Sequence, residues 1–313
     1  TTEIGNEAQV FSVDNFLGKV KSYDSLVKIC EEHNLGLDLV IQAPFGDSGK
    51  TTYFINSQED YIQYASKIEA EDKVKVMRRI SSVGSAIEAC ATSIGTFVGP
   101  LLSELVGFPE LTPYKGGWCG NELYQEQFSS EVRKSIHEKT ERLGNALYAR
   151  GYKGYFEVDF LIDFKTQEIY LGEINPRITG ISAQTNMAPF CQKTIPLFLF
   201  HLLEFSEIEI PIDPIQYNKF SLAEGHQGIT SQMILKATHS GLRKVCAAPV
   251  SGVYALDEQK KLKLIKQSSN PQEKGTKPEH VFLLRIMNRD EYSYYGSDRI
   301  ILFLNNKLTI DNG

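Results

Sequence analysis

Two stretches bring carboxylates and an amide into a spacing that could hold a hard metal ion: YFEVDFLID at residues 155–163 and EIYLGEINPR at residues 168–177. Each alternates apolar and polar residues as a half-buried strand does, and Lys165-Thr166-Gln167 stands between them as a turn. In a hairpin centred on Thr166, residues whose numbers sum to 332 face each other. That sets Asp159 opposite Glu173, and alternation adds Asn175 to the Glu173 face. Two carboxylates about 5 Å apart repel by roughly 3 kcal/mol at an effective dielectric of about 20, and like charges directly opposite destabilise a sheet. A cation between them relieves this. Two carboxylates and an amide oxygen suit Mg²⁺, which takes the rest of its shell from water and substrate phosphates. A register slipped by one residue, or a face open to water, would remove that role.

A second segment, APFGDSGKTT at residues 43–52, has the makings of a phosphate cradle. Gly46 and Gly49 allow close backbone approach, Ser48, Thr51 and Thr52 offer hydroxyl donors, and Lys50 offers a cation. It ends like a Walker A motif, but Pro44 replaces the first glycine and the following TTYFI reads as a strand where a P-loop must open a helix. Alone, it is equally a plain hairpin turn.

Together the two segments resemble the ATP-grasp superfamily, in particular its biotin carboxylase, carbamoyl phosphate synthetase and carboxylate-amine ligase branches. The resemblance covers about residues 37–190, and Glu173-Ile174-Asn175-Pro176-Arg177 is its most specific part. It implies an α+β ATP-grasp fold, two α+β subdomains gripping ATP, with a smaller β-rich C-terminal domain. By the same resemblance Asp159, Glu173 and Asn175 match the family's ligands for Mg²⁺ or Mn²⁺. Gly46, Asp47, Ser48, Gly49, Lys50, Thr51 and Thr52 match the mobile loop over the phosphates. Met77 and Arg78, in Val76 to Ile80, match the hinge that holds adenine by backbone hydrogen bonds, and Glu88 is expected at the ribose or the hinge. Arg177 matches the arginine that stabilises charge on the reacting carboxylate or its acyl-phosphate, with Lys50 as a second catalytic cation. The chain departs from the pattern at Gln42, where many relatives have lysine, so a phosphate contact would come from Lys50 or Lys75 or be neutral. After Arg177, ITGISAQTN replaces the Glu-His-Pro-Val run of biotin carboxylases, which disfavours bicarbonate activation.

The elements that must position these residues follow from patterning. Strands are expected at Leu37 to Gln42, Thr51 to Ile55, Val74 to Ile80 and Ala86 to Ala91, and a helix over 58–70 behind a Ser57/Asp60 cap. A second helix runs from a Ser129 cap to Arg150, with Gly151 past its end, and a buried one starts at Pro196. Residues 109–122 read as a Gly-rich loop, with Trp118 as a lid and Lys115 or Glu122 as polar contacts, or as a rigid loop around a buried Trp. Residues 206–220 read as a linker, short strands dominate after about residue 245, and 267–279 reads as a mobile loop. The expected units are an N-terminal segment 1–36, a lid subdomain 37–90, a large subdomain with the metal site 91–205 and a C-terminal β-rich domain 206–313. Residues 1–36 are too short for the family's N-terminal α/β domain, so truncation, an atypical architecture, a partner or a homodimer is expected.

Composition narrows the function classes. In 313 residues, 33 basic and 39 acidic side chains give a net charge of −6, which argues against a broad grip on nucleic acid. The most apolar run, Ile195 to Leu203, carries Pro196 and His201 and is too short for a membrane span. Five scattered cysteines without metal-ligand spacing fit a reducing cytoplasm. The expected activity is an ATP-dependent ligase that activates a small-molecule carboxylate as an acyl-phosphate for attack by an amine, releasing ADP and phosphate. Its rivals are an ATP-binding pseudoenzyme that works with a partner and a biotin carboxylase-like enzyme.

Overall fold

The computed structural model describes residues 1–44, 51–259 and 261–308. After a short helix α1 (Thr2–Glu7), four strands form a small antiparallel sheet: β1 (Asn15–Gly18), β2 (Leu39–Gln42), β3 (Thr52–Ile55) and β4 (Val74–Arg78), ordered β1-β4-β2-β3. Alternation gives this sheet two unlike faces. Leu39, Ile41, Tyr53, Ile55, Val74 and Val76 point into a core closed by helices α2 (Tyr23–Glu32) and α3 (Gln58–Ala70). The expected helix over 58–70 is there, with Ser57 Oγ accepting from the Asp60 N–H at 3.2 Å. On the other face the register lines up Leu17, Lys75, Gln42 and Thr52 in one row.

The chain then crosses to a wide sheet. Its first half holds β5 (Ser82–Thr92), β6 (Gly95–Val106), β7 (Trp118–Leu123), helix α4 (Ser130–Ala149), β8 (Gly154–Asp163) and β9 (Ile169–Asn175). Helices α5 (Ser182–Met187), α6 (Leu197–Phe205) and α7 (Pro214–Glu224) follow. The second half holds β10 (Thr230–Lys236), a short ribbon of β11 (Arg243–Lys244) and β15 (Tyr292–Ser293), and β12 (Gly252–Leu256), β13 (Leu262–Gln267), β14 (His280–Arg285) and β16 (Asp298–Leu304). Among the described residues the wide sheet has ten strands, ordered β13-β12-β14-β16-β10-β7-β6-β5-β8-β9. The C-terminal strands therefore extend the sheet that carries the hairpin β8–β9.

Sheet membership divides the chain differently from the expected segments. β1 and α2 belong with the small sheet, although residues 1–36 were set apart, and β5 belongs with the wide one, although the lid was extended to residue 90. The reason is burial: Ala86 to Thr92 are buried without interruption, because β5 is covered on both faces. Ile87, Val98, Phe156, Val158 and Phe160 meet α4 on one side. Ala86, Cys90, Phe97 and Tyr155 meet α6 and α7 on the other, where Phe97 stacks on Phe200 at 3.9 Å between ring centroids. The expected linker 206–220 also holds most of α7, which Asp213 caps by accepting from the Gln216 N–H. No helix among the described residues is long and apolar enough to cross a membrane.

Candidate active site

The hairpin β8–β9 pairs Asp159 with Glu173 and Glu157 with Asn175, the expected register. The strands reach it by an irregular route. Next to the turn Ile162 faces Ile169 and Phe160 faces Leu171, one residue off the expected sum, and a bulge at Gly172 restores the pairing. A Cβ on Gly172 would sit 3.0 Å from the Asp159 carbonyl oxygen, so the bulge fits glycine. Asn175 Nδ2 donates to Asp159 Oδ2 at 3.3 Å, and Arg177 Nη2 donates to Asn175 Oδ1 at 3.3 Å. Asn175 thus links the buried end of the hairpin to an exposed guanidinium.

Two further carboxyls stand on this face. Glu157 precedes Asp159 by one alternation, and Glu104 comes from β6. Burial and then Glu173 push the Glu104 carboxyl up to about 7. Burial, Glu88 and Glu104 push Glu157 up to about 8. Asp159 is raised well above its ordinary range by burial and then by Glu104, Glu157 and Glu173, with Arg177 opposing. Negative charge is concentrated here beyond what one arginine offsets, which fits a divalent cation. Among the described residues no three His, Cys, Asp or Glu side chains form a complete metal cage, so such an ion would rest on two carboxylates, the Asn175 amide and oxygens from a ligand or water.

The small sheet supplies the facing wall. A cavity of about 410 Å³, a size typical of small-molecule sites, is lined by Gln42, Thr51, Thr52 and Lys75 on that side and by Gly172 and Glu173 on the other. Lys75 lies directly beside Gln42 in the register, where the departure from lysine left a cation wanting. Burial lowers the Lys75 pKa and Glu173 raises it. Gly46, Asp47, Ser48, Gly49 and Lys50 lie outside the described residues.

Two expectations are corrected. Met77 and Arg78 were assigned to an adenine hinge that bonds through its backbone, but β4 is a central strand. β1 and β2 pair with Met77 from both sides, and Arg78 N–H donates to Asp14 O and Arg79 N–H to Asp38 O. Their donors are already used, and neither Met77 nor Arg78 lines the cavity. Glu88 was expected at the ribose or hinge. It is wholly buried in the wide sheet, with both oxygens bonded by Tyr155, Thr179 and Ser182.

Trp118 opens β7 and is half-buried, away from the cavity lining. Its indole N–H donates to Asn121 Oδ1 at 2.7 Å, and its ring lies so close to Gly180 that a Cβ there would come within 2.6 Å. Lys115 reaches across to the Phe54 ring at 5.1 Å, joining the 109–117 loop to the small sheet. Glu122 is buried and accepts from the Leu308 N–H. The Cys119 thiol is buried, donates to Leu105 O at 3.2 Å and has its pKa raised, chiefly by burial, so it is no nucleophile.

No protein-family model and no curated protein matches the sequence. Solved structures do. Carboxyaminoimidazole ribonucleotide synthase of Aspergillus clavatus, complexed with ATP, is similar with a TM-score of 0.64 at 12% identity, over 97% of this chain and 66% of that one. The biotin carboxylase domain of Hydrogenobacter thermophilus 2-oxoglutarate carboxylase, a dimer with MgADP and bicarbonate, gives 0.65 at 12% identity over 97% and 60%. Campylobacter jejuni biotin carboxylase, in a complex with an ATP compound, gives 0.64 at 15% identity over 97% and 60%. The chain therefore has an ATP-grasp-like α+β fold, and it spans about 60 to 66% of the length of these neighbours.

Proposed function

We propose that the chain is an ATP-dependent ligase that activates a carboxylate as its acyl-phosphate and passes the acyl group to an amine. The observation that carries this is the cavity in which Lys75, Gln42 and Thr52 on one wall face Glu173 on the other, with Asp159, Asn175 and Arg177 in line behind it. In this reading Asp159, Glu173 and Asn175 hold Mg²⁺, whose chemistry is to neutralise phosphate oxygens and fix their geometry. Lys75, Thr51 and Thr52 bind phosphate oxygens, together with Gly46, Asp47, Ser48, Gly49 and Lys50. A carboxylate oxygen attacks the γ-phosphorus and ADP leaves. The amine nitrogen then attacks the acyl carbon, phosphate leaves, and the nitrogen gives its proton to water. Arg177 offsets the charge that develops on the acyl-phosphate. The five free thiols support a reducing compartment in this reading.

A titration of the chain with ATP, with and without Mg²⁺, tests the reading, followed by ADP release with pairs of acids and amines. Saturation at about 100 times the dissociation constant raises stability by roughly 2.7 kcal/mol, easily seen by thermal shift. Mg-dependent binding followed by acid-dependent ADP release supports it. Binding without any ADP release supports a pseudoenzyme that serves a partner. The neighbours in the comparison, two of them biotin carboxylases, favour bicarbonate as a second candidate acid. ADP release that depends on bicarbonate alone would replace the amide-forming reading with a carboxylating one.

A further inference from the structure

Arg177 is exposed and lies on the segment between β9 and α5. Among the described residues its guanidinium donates to Asn175 Oδ1 and to the Ile178 carbonyl, each at 3.3 Å. Those contacts tie the guanidinium to the end of β9 but reach nothing beyond Ile178. The placement comes from the other end, where a carboxylate wholly withdrawn from solvent does the work. Glu88 Oε1 accepts from Thr179 Oγ1 at 3.3 Å and from Ser182 Oγ, and its Oε2 accepts from Tyr155 Oη at 2.6 Å.

Two of the hydroxyls also accept a hydrogen bond, which leaves the single proton of each for Glu88. Ser182 Oγ already accepts from the Thr179 N–H at 3.0 Å, and Tyr155 Oη accepts from Asn186 Nδ2 at 2.8 Å. Asn186 Nδ2 also bonds the Ser182 carbonyl at 2.8 Å, while its Oδ1 accepts from the Phe198 N–H at 2.9 Å, tying the network to the start of α6. A second clamp acts one residue beyond Thr179. Gln232 Nε2 donates to the Gly180 carbonyl at 2.9 Å, and the six-membered ring of Trp118 lies against Gly180. An acceptor buried this deeply costs stability unless it is hydrogen-bonded, and two of its three partners belong to the run from Thr179 to Ser182.

We propose that Glu88 is a positioning residue for Arg177: its carboxylate, through Thr179 and Ser182, pins the segment that carries the guanidinium to the face holding Asp159 and Asn175. The inference rests on the ligase reading for its effect on turnover, but the placement can be measured without it. Trp118 is the only tryptophan of the chain and packs on Gly180, so its fluorescence reports on this segment.

The test compares the double variant Thr179→Val, Ser182→Ala with Glu88→Gln, which keeps shape and one acceptor oxygen. In the double variant ADP-forming turnover falls about 10²-fold, the cost of a displacement near 1 Å, while the KM for ATP is unchanged. Acrylamide quenching of Trp118 and amide exchange across 177–182 both rise. Glu88→Gln shows the same changes in smaller degree. A double variant with wild-type turnover, quenching and exchange overturns the proposal. In a wild-type chain that releases no ADP, the ligase reading has failed on its own; quenching and exchange then decide the placement, a rise supporting it and no change overturning it.

Discussion

The two walls of the cavity are built by opposite rules. The small sheet has four short strands over one apolar core and presents Leu17, Lys75, Gln42 and Thr52, a row with one cation that is half withdrawn from solvent. The wide sheet presents Asp159, Glu173 and, on the same face, Glu104 and Glu157, with Arg177 opposing. One wall is short of negative charge and the other holds too much. A ligand that carries phosphates towards Lys75 and a divalent cation towards the hairpin satisfies both, which is why the comparison points to a metal nucleotide. The sharpest way to break it is Asp159→Asn. Mg-dependent ADP release should fall below detection, while the metal-free protein gains thermal stability, since a repelling carboxyl is gone, by about 2 °C for each kcal/mol relieved. Full activity together with a lower Tm would sink the account of this wall.

The next largest effect belongs to the other wall. Lys75→Met keeps the side-chain length and removes the charge, so ATP affinity should drop about tenfold or more, equivalent to about 1.4 kcal/mol. Calorimetry reads this directly. Affinity equal to the wild type would show that the small sheet contributes shape alone.

The carboxyls also predict a pH dependence of stability. An acid whose pKa is raised in the folded state keeps its proton where the unfolded chain has lost it. Its contribution is fully present below the ordinary value of 4.5 and is lost as pH rises through about 7 for Glu104 and about 8 for Glu157. Two histidines act in the opposite sense. Burial lowers His137 and His226 to about 4, so they cost stability as pH falls from 6.5 towards 4 and change nothing above 6.5. Between pH 6.5 and about 8 these histidines are silent and the carboxyls dominate, opposed by the N-terminal amine, whose pKa burial lowers from 8.0. The metal-free Tm should decline across that window, less so in Glu104→Gln, and MgATP should raise it most at the alkaline end. A flat profile that Glu104→Gln leaves unchanged would remove the charge excess from the argument.

Much of this site was legible in local patterning, and what was missed is non-local. Asp159, Glu173 and Asn175 sit on two strands joined by a short turn, so alternation alone brings them together. The pairing held although the turn is off centre by one residue, because the Gly172 bulge compensates. Glu157 was within reach of the same reasoning, two residues before Asp159 on the same face. Glu104 was not, since only the β5–β6–β8 pairing brings it near, and an isolated glutamate in an apolar run carries no local sign of its neighbours. Glu88 failed for the same reason: a polar residue amid apolar ones looks like a ligand contact until the hydroxyls that bury it are known. The adenine hinge failed because nothing local shows that β4 is central and that both its edges are paired. Helices with clear caps, α3 behind Ser57 and α4 behind Ser129, were readable to within a residue.

The smallest expected effect returns to Gln42, where the sequence departs from the expected pattern. Gln42→Lys would set a second ammonium beside Lys75, with Cβ atoms about 4.5 to 5.5 Å apart in paired strands. In the free protein the two cations repel, and Lys75 is already depressed by burial, so the Tm should fall slightly. In the complex both can reach phosphate oxygens. The gain is limited to that of a half-exposed ion pair, about threefold in ATP affinity. Tighter binding by that amount would show that the small sheet still has room for a charge. Weaker binding would show that Lys75 already stands where the phosphate needs it, and that glutamine at 42 is the residue that leaves it undisturbed.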